Sequence, residues 1–191
     1  MKAVLLEIPE PLLGWLNERA RLGHDRIDEM WNGVLHMVPP PGGEHQRRGS
    51  RLIEILGPLA RERGLVATYE TGVFRPGQAD DYRVPDVAVW SSTNMSKRGV
   101  EGRAELVIET RSANDESWEK LPFYAEMGIP EVLIIDGDVA SVLRLTATGA
   151  AYTPVEADPG GWVALAAVAL ELRTDPAGGL LVRSSTETAV V

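Results

Sequence analysis

Two acidic residues stand in segments that are otherwise apolar and strand-like. Asp86 lies within the segment 84–89 (VPDVAV), and Glu109 ends the segment 106–109 (LVIE). Burying a carboxylate in a strand costs free energy unless it is paired or binds a metal ion. If the two strands are neighbours, the carboxylates repel each other and need a cation, and oxygen ligands suit a hard ion such as Mg²⁺. For either acid alone, a strand end capped by backbone or arginine remains the simpler explanation.

A lysine follows the second acid at a distance that could bring it to the same place. Lys120 lies eleven residues after Glu109, early in a segment, 115–128, that has a helical pattern. From there an ammonium group can reach over the end of a strand, orient a water molecule and stabilise charge that develops on a phosphate. The ordinary alternative is a solvated lysine paired with Glu116. The combination of two acids and a lysine favours chemistry more than any one of these residues does.

The overall composition is that of one acidic globular domain. The chain has 191 residues, a net charge of −9 and no cysteine, which excludes a disulfide scaffold, a thiol nucleophile and a cysteine-based zinc finger. Nucleic-acid-binding proteins are usually basic over their contact surface, so the acidic total argues mildly against such a partner, although the segment 45–63 carries five arginines and two glutamates. No apolar run of the sequence reaches the length of a membrane span. We expect one cytoplasmic domain, residues 1–191.

Periodicity and turn signals divide the chain into helices and strands. Helices are predicted at 10–21, 45–62 and 115–128. Strands are predicted at 65–70, 84–90, 104–110, 131–136 and 139–145, with hairpins at 30–38 (around Asn32-Gly33) and within 150–170. The last dozen residues are expected to be frayed. This order predicts an α/β (or α+β) fold, in which a mixed central β-sheet is flanked by helices and extended by N- and C-terminal β-hairpins.

Four motifs, in this order and spacing, resemble those of one protein family. They are Asn32-Gly33-Val34-Leu35 with Pro41 and His45; Val84-Pro85-Asp86-Val87-Ala88-Val89; Glu105-Leu106-Val107-Ile108-Glu109 with Ser112; and Lys120, Tyr124, Gly128-Ile129-Pro130-Glu131 and Asp136. They are similar to the patterns G-x-L…P…H, v-P-D-v-a-v, l-v-v-E-v-x-S and K…Y…G-V-x-E-Y-W-x-v-D of the Uma2 family (DUF820). That family is a branch of the PD-(D/E)XK, restriction-endonuclease-like nucleases. The resemblance covers residues 26–140.

The resemblance implies a nuclease site. Asp86 and Glu109 would be catalytic metal ligands for Mg²⁺ (or Mn²⁺), and Lys120 would be the catalytic lysine. The standard motif has its lysine two residues after the acid, where this chain has Arg111. Arginine does not usefully lend a proton but does bind phosphate, so Arg111 is expected to bind substrate. His45 matches the family histidine, and we expect it to be either a substrate-binding residue or a buried structural one.

Other charged residues are secondary candidates. Glu70 could be an accessory acid or a solvated strand end. Glu44 or Glu54 could supply the helix carboxylate that many relatives carry. Three arginines could follow a phosphate backbone: Arg47, Arg48 and Arg51.

The implied function is metal-dependent hydrolysis of phosphodiester bonds in nucleic acid, with DNA as the expected substrate and a homodimer as the expected assembly. Two alternatives remain open. One is a nuclease-fold module for binding or dimerisation, which the acidic total and Arg111 favour. The other is a hydrolase of a smaller phosphoester. A DNA enzyme needs an open positive groove, whereas an enzyme for a small molecule needs a closed pocket.

Overall fold

The computed structural model describes residues 10–112, 116–185 and 187–191. Within them the helices are α1 (Glu10–Leu22), α2 (Gly43–Glu62) and α3 (Leu121–Glu126). The strands are β1 (Glu29–Trp31), β2 (Val34–His36), β3 (Leu65–Tyr69), β4 (Val73–Phe74), β5 (Tyr82–Arg83), β6 (Val87–Ser91), β7 (Val100–Glu101), β8 (Leu106–Thr110), β9 (Glu131–Asp136), β10 (Val139–Leu145), β11 (Tyr152–Pro154), β12 (Val163–Leu165), β13 (Leu170–Thr174), β14 (Leu180–Arg183) and β15 (Thr188–Val190). No described helix is long and apolar enough to cross a membrane.

Six strands form the central sheet, in the order β11-β10-β9-β8-β6-β3. Strands β8 and β9 run parallel, and the other neighbouring pairs are antiparallel. All five residues of β8 are buried, because other elements cover both faces of the sheet. Burial on both faces explains why the central strands are apolar nearly throughout. The prediction of a mixed central sheet is confirmed.

Two apolar clusters lie on the opposite faces of this sheet. Successive side chains of a strand point to opposite faces, so Val87 and Val89 join one cluster while Ala88 and Trp90 join the other. The first cluster is closed by α2 and by a sheet of order β12-β13-β14-β15. The second is closed by α3 and by a sheet of order β2-β1-β5-β4-β7. The molecule is therefore a layered, mixed α/β fold with three sheets.

The N-terminal hairpin forms where the sequence predicts it. Asn32 and Gly33 have φ angles of 49° and 81°, and positive φ at both central residues is what a two-residue type I′ turn requires. Strand β1 also pairs with β5, with Met30 opposite Tyr82. The hairpin is thus the edge of a larger sheet, whose two-residue strands β4, β5 and β7 are too short to leave a pattern in the sequence.

The helix predicted at 115–128 is wrong in its extent. The described part of that segment begins with a 3-10 turn, Trp118–Lys120, and α3 starts only at Leu121. Pro122 explains the late start, because proline fits the first turn of an α-helix but removes a hydrogen bond from its interior. Residue 115 lies outside the described residues.

The prediction for the C-terminal region is also wrong. The two strands inside 150–170 do not pair with each other, since β11 joins β10 and β12 joins β13. The described residues of the last dozen are not frayed, because β14 pairs with β15 and both strands contribute side chains to the first cluster. Leu180, Val182 and Val191 are at most 4% exposed there. The expected C-terminal hairpin is therefore a four-stranded sheet that closes the core.

Helix α2 lies against the central sheet at a point where only glycine fits. A Cβ atom on Gly49 would lie 2.1 Å from Cε2 of Tyr69, on the edge strand β3. The close approach lets the stripe of Leu52 and Leu56, each at most 1% exposed, pack against the sheet.

We predict that Gly49→Ala destabilises the fold by about 1–3 kcal/mol, because the added methyl group displaces Tyr69 or lifts α2 from the sheet. Gly43→Ala is the matched control in the same helix, since nothing lies within 4 Å of its added Cβ, and it should change stability by less than about 0.5 kcal/mol. Urea unfolding followed by circular dichroism measures both. Equal stability of the two variants would contradict the packing described here.

Candidate active site

Asp86 and Glu109 are brought together by the pairing of β6 with β8. These strands are antiparallel with Val87 opposite Ile108, and one further step along the same register sets Asp86 opposite Glu109. The two carboxylates therefore lie at one end of the central sheet and on the same face. Both line a cleft with a volume of about 710 Å³. The structure thus places the two predicted ligands side by side.

Asp86 is fixed by two hydrogen bonds. Its Oδ1 lies 2.9 Å from Nε2 of His45, and its Oδ2 accepts a hydrogen bond of 2.5 Å from the backbone N–H of Thr110. His45 comes from the first turn of α2, whose apolar stripe turns it towards the sheet. The hydrogen bond to Asp86 raises the pKa of His45. His45 therefore belongs to the site geometrically, as the sequence allowed.

Glu109 is buried, with 3% of its surface exposed. Its Oε1 accepts a hydrogen bond of 2.5 Å from the hydroxyl of Tyr124, and its Oε2 accepts one of 3.0 Å from Nζ of Lys120. Burial raises the pKa of Glu109 to about 8; Lys120 opposes this shift and the Asp86 carboxylate adds to it. Burial therefore disfavours the negative charge on Glu109.

Lys120 reaches the site from the 3-10 turn before α3. Its Nζ lies 3.0 Å from Oε2 of Glu109 and 2.8 Å from Oε1 of Glu29. Burial opposes the charge on Lys120, but the two carboxylates outweigh that effect and raise its pKa, so the ammonium stays cationic at neutral pH. The alternative of a solvated lysine is wrong, because the side chain is only 12% exposed. Glu116, its expected partner in that alternative, is paired with His36 at 2.6 Å.

Sequence reasoning missed two residues that hold this arrangement. Glu29 on β1 pairs with Lys120 and also accepts hydrogen bonds from the backbone N–H of Val84 at 2.8 Å and from Nε1 of Trp31 at 2.7 Å. Tyr124 on α3 belongs to the fourth motif, but the sequence predicts no role for it in the site; its ring is buried and its hydroxyl holds Glu109. The only signal for Glu29 in the sequence is an acid in a short apolar strand, which does not reveal a partner 91 residues away.

Glu70 lies in the cleft rather than in solvent. Its φ angle is 46°, a left-handed conformation that is uncommon outside glycine. Its backbone N–H donates to the carbonyl of Asp86 at 2.9 Å, and its carboxylate accepts a hydrogen bond of 2.9 Å from Gln46. In this conformation, the backbone at the end of β3 is hydrogen-bonded to Asp86, the first of the two acids.

Arg111 pairs with an acid on the neighbouring strand β9. It forms an ion pair with Asp136 at the end of β9, and its side chain is 29% exposed. It does not line the cleft that contains Asp86 and Glu109. The structure therefore leaves Arg111 beside the site rather than in it.

The three arginines of α2 that the sequence singles out are engaged within the chain. Arg47 pairs with Glu44, Arg48 donates to the carbonyl of Gly137 and to Asp138, and Arg51 pairs with Glu54. Glu44 and Glu54 are 70% and 64% exposed, which places these helix carboxylates on the outer face of α2, away from the cleft.

Acidic side chains dominate the cleft. Its carboxylates are Glu29, Glu70, Asp86, Glu109, Glu116 and Glu119, and its basic side chains are His36, His45 and Lys120. Among residues 10–112, 116–185 and 187–191, no group of three His, Cys, Asp or Glu is arranged to hold an ion. Mg²⁺ needs only one or two carboxylates, because it keeps several water ligands. Paired carboxylates with excess negative charge fit that ion.

Comparison with known proteins identifies a family and a similar fold. A family model described as Uma2, "Putative restriction endonuclease", matches residues 18–177. The fold is similar to that of a putative nuclease belonging to DUF820 from Anabaena variabilis ATCC 29413, with a TM-score of 0.60 and 18% identity over 81% of this chain and 90% of that chain. A DrdV–DNA complex also matches, at a TM-score of 0.34 and 14% identity over 59% of this chain and 12% of that chain.

The likeness to the DUF820 nuclease shows the fold alone, and nothing is concluded from the match to the DrdV–DNA complex. No curated protein matches the sequence. Since the family model matches most of its length, this chain belongs to the Uma2 family.

Proposed function

We propose that the protein is a Mg²⁺- or Mn²⁺-dependent endonuclease with a restriction-endonuclease-like fold, which hydrolyses phosphodiester bonds in DNA. The observation that carries the proposal is the placement of Asp86 opposite Glu109, with Lys120 within 3.0 Å of the second acid, in one cleft. The family described as restriction endonucleases supports nucleic acid as the substrate class.

Asp86 and Glu109 would hold the ion, and their carboxylate oxygens suit a hard divalent cation. When bound, such an ion polarises the scissile phosphate and makes a bound water a better nucleophile. Neighbouring residues of the chain orient both ligands. The amide of Thr110 and the ring of His45 orient Asp86, while the hydroxyl of Tyr124 orients Glu109. These bonds fix the direction in which each carboxylate can offer an oxygen.

Lys120 is the group that would contact the phosphate or the attacking water. Its ammonium has three donors, and two of them are used by Glu29 and Glu109. The third can donate to an oxygen of the substrate and stabilise the charge that develops there. His45 and Arg111, with side chains 20% and 29% exposed, could bind neighbouring phosphates.

A second candidate function is hydrolysis of a smaller phosphoester at the same ion. It is favoured by the acidic lining of the cleft and by Arg47, Arg48 and Arg51, which are held by acceptors within the chain instead of forming an open basic groove. Both candidates use the same two acids and the same lysine, and they differ only in the size of the substrate.

Asp86→Asn and Glu109→Gln should each lower metal-dependent cleavage of supercoiled plasmid DNA by at least about 100-fold, because each removes a charged ligand while keeping the shape of the side chain. Glu54→Gln, on the outer face of α2, should retain activity. Nicking is measured by gel electrophoresis with Mg²⁺ or Mn²⁺, and bis(p-nitrophenyl) phosphate is assayed in parallel. Undiminished cleavage by Glu109→Gln would refute the mechanism, and hydrolysis of the small ester without DNA cleavage would favour the second candidate.

Metal binding should also stabilise the fold. A ligand that binds only the folded state at 100 times its dissociation constant adds about 2.7 kcal/mol to the free energy of unfolding. We predict a gain of this size for Mn²⁺ in the wild type and in Glu54→Gln, and its loss in Asp86→Asn. Urea unfolding in Mn²⁺ and in EDTA gives the difference. An equal gain in Asp86→Asn would place the ion elsewhere.

A further inference from the structure

We infer that Glu29 is a positioning residue of this site, one that retains Lys120 when Glu109 turns towards the metal ion. The inference rests on the proposed function, because it assigns a task to Glu29 only if Glu109 is a metal ligand. Glu29 belongs to the N-terminal hairpin, 80 residues before Glu109 in sequence, and nothing in its local pattern assigns it to the site.

The Glu29 carboxylate is held rigidly. It is 2% exposed, and it accepts hydrogen bonds from the backbone N–H of Val84 to Oε1 and from Nε1 of Trp31 to Oε2. The Trp31 ring is itself fixed, since it stacks on His36 with the ring centres 4.0 Å apart and lies 4.3 Å from the guanidinium carbon of Arg83. Glu29 is therefore anchored on strand β1 by hydrogen bonds to both of its carboxylate oxygens.

Glu109, unlike Glu29, would also have to bind the metal ion, and both of its oxygens already accept hydrogen bonds. Oε1 accepts from Tyr124 and Oε2 accepts from Lys120. A metal ion that takes an oxygen of Glu109 draws on the negative charge that holds Lys120 and repels its ammonium group, so the ion pair between Glu109 and Lys120 is weakened. Removing one partner from a buried ion pair is strongly unfavourable, because the remaining buried charge is left without compensation.

Glu29 removes this conflict. Its Oε1 lies 2.8 Å from Nζ of Lys120, closer than the 3.0 Å of Glu109. The ammonium group therefore keeps one carboxylate partner and its position when Glu109 binds the ion. Without Glu29, Lys120 would depend on Glu109 alone and would compete with the ion for it.

A cycle of variants separates this role from a simple loss of charge. Mn²⁺ affinity is measured by calorimetry for wild type, Glu29→Gln, Lys120→Met and the double variant, each checked for folding by its unfolding transition in EDTA. Glu119→Gln is the matched control, because it removes one negative charge from the same cleft at an exposed position. Glu29→Gln should weaken Mn²⁺ binding at least about tenfold, as expected for a residue that orients a ligand's partner.

In the Lys120→Met background, Glu29→Gln should weaken Mn²⁺ binding by no more than Glu119→Gln does in the wild type. Equal losses in both backgrounds, or a loss in wild type no greater than that of the control, would overturn the inference. If Glu29→Gln does not fold, Trp31→Phe tests the same point. It keeps a stacked ring and removes one hydrogen bond to Glu29, and it should weaken Mn²⁺ binding only when Lys120 is present.

The results also separate this inference from the proposal on which it rests. If wild type does not bind Mn²⁺, both are refuted. If wild type binds Mn²⁺ and Asp86→Asn abolishes binding while Glu29→Gln behaves like the control, the metal site stands and only the role of Glu29 is refuted.

Discussion

The site depends on one electrostatic constraint, which is that acidic side chains outnumber basic ones in one cleft, where Glu29 and Glu109 are buried. Glu29 and Glu109 share the single ammonium of Lys120, and Asp86 adds a further negative charge opposite Glu109. Charges in such surroundings interact strongly and are costly when unpaired. Hydrogen bonds from Tyr124 and from backbone amides reduce this cost without removing it. A divalent cation would remove it, and this need connects the geometry to the proposed chemistry.

The cleft is assembled from several segments that are distant in sequence. The register of β6 against β8 sets the two acids opposite each other. Helix α2 contributes His45 from its first turn, and its close packing at Gly49 fixes how it lies on the sheet. The N-terminal hairpin contributes Glu29, and the turn before α3 contributes Lys120. The three-layer architecture is therefore what converts scattered polar residues into one cleft.

Local sequence patterns predicted the residues whose charge does not suit the apolar segments that contain them. Asp86 and Glu109 stood out because a carboxylate in an apolar strand needs an explanation, and His45 followed from the resemblance of its motif to the Uma2 family. Glu29 and Tyr124 could not be found in this way, because their role lies in contacts with residues 91 and 15 positions away. The C-terminal sheet was missed because strands as short as β12 and β15 carry too few residues to show a period, and their pairing is decided by the core they close.

A crystal structure of the protein grown with Mn²⁺, with anomalous diffraction recorded at the manganese edge, tests the central claim most directly. The account predicts one anomalous peak between the carboxylates of Asp86 and Glu109, with the ammonium of Lys120 still bonded to Glu29. A peak held by other acids of the cleft, with Asp86 and Glu109 still bonded only to their partners within the chain, would contradict it.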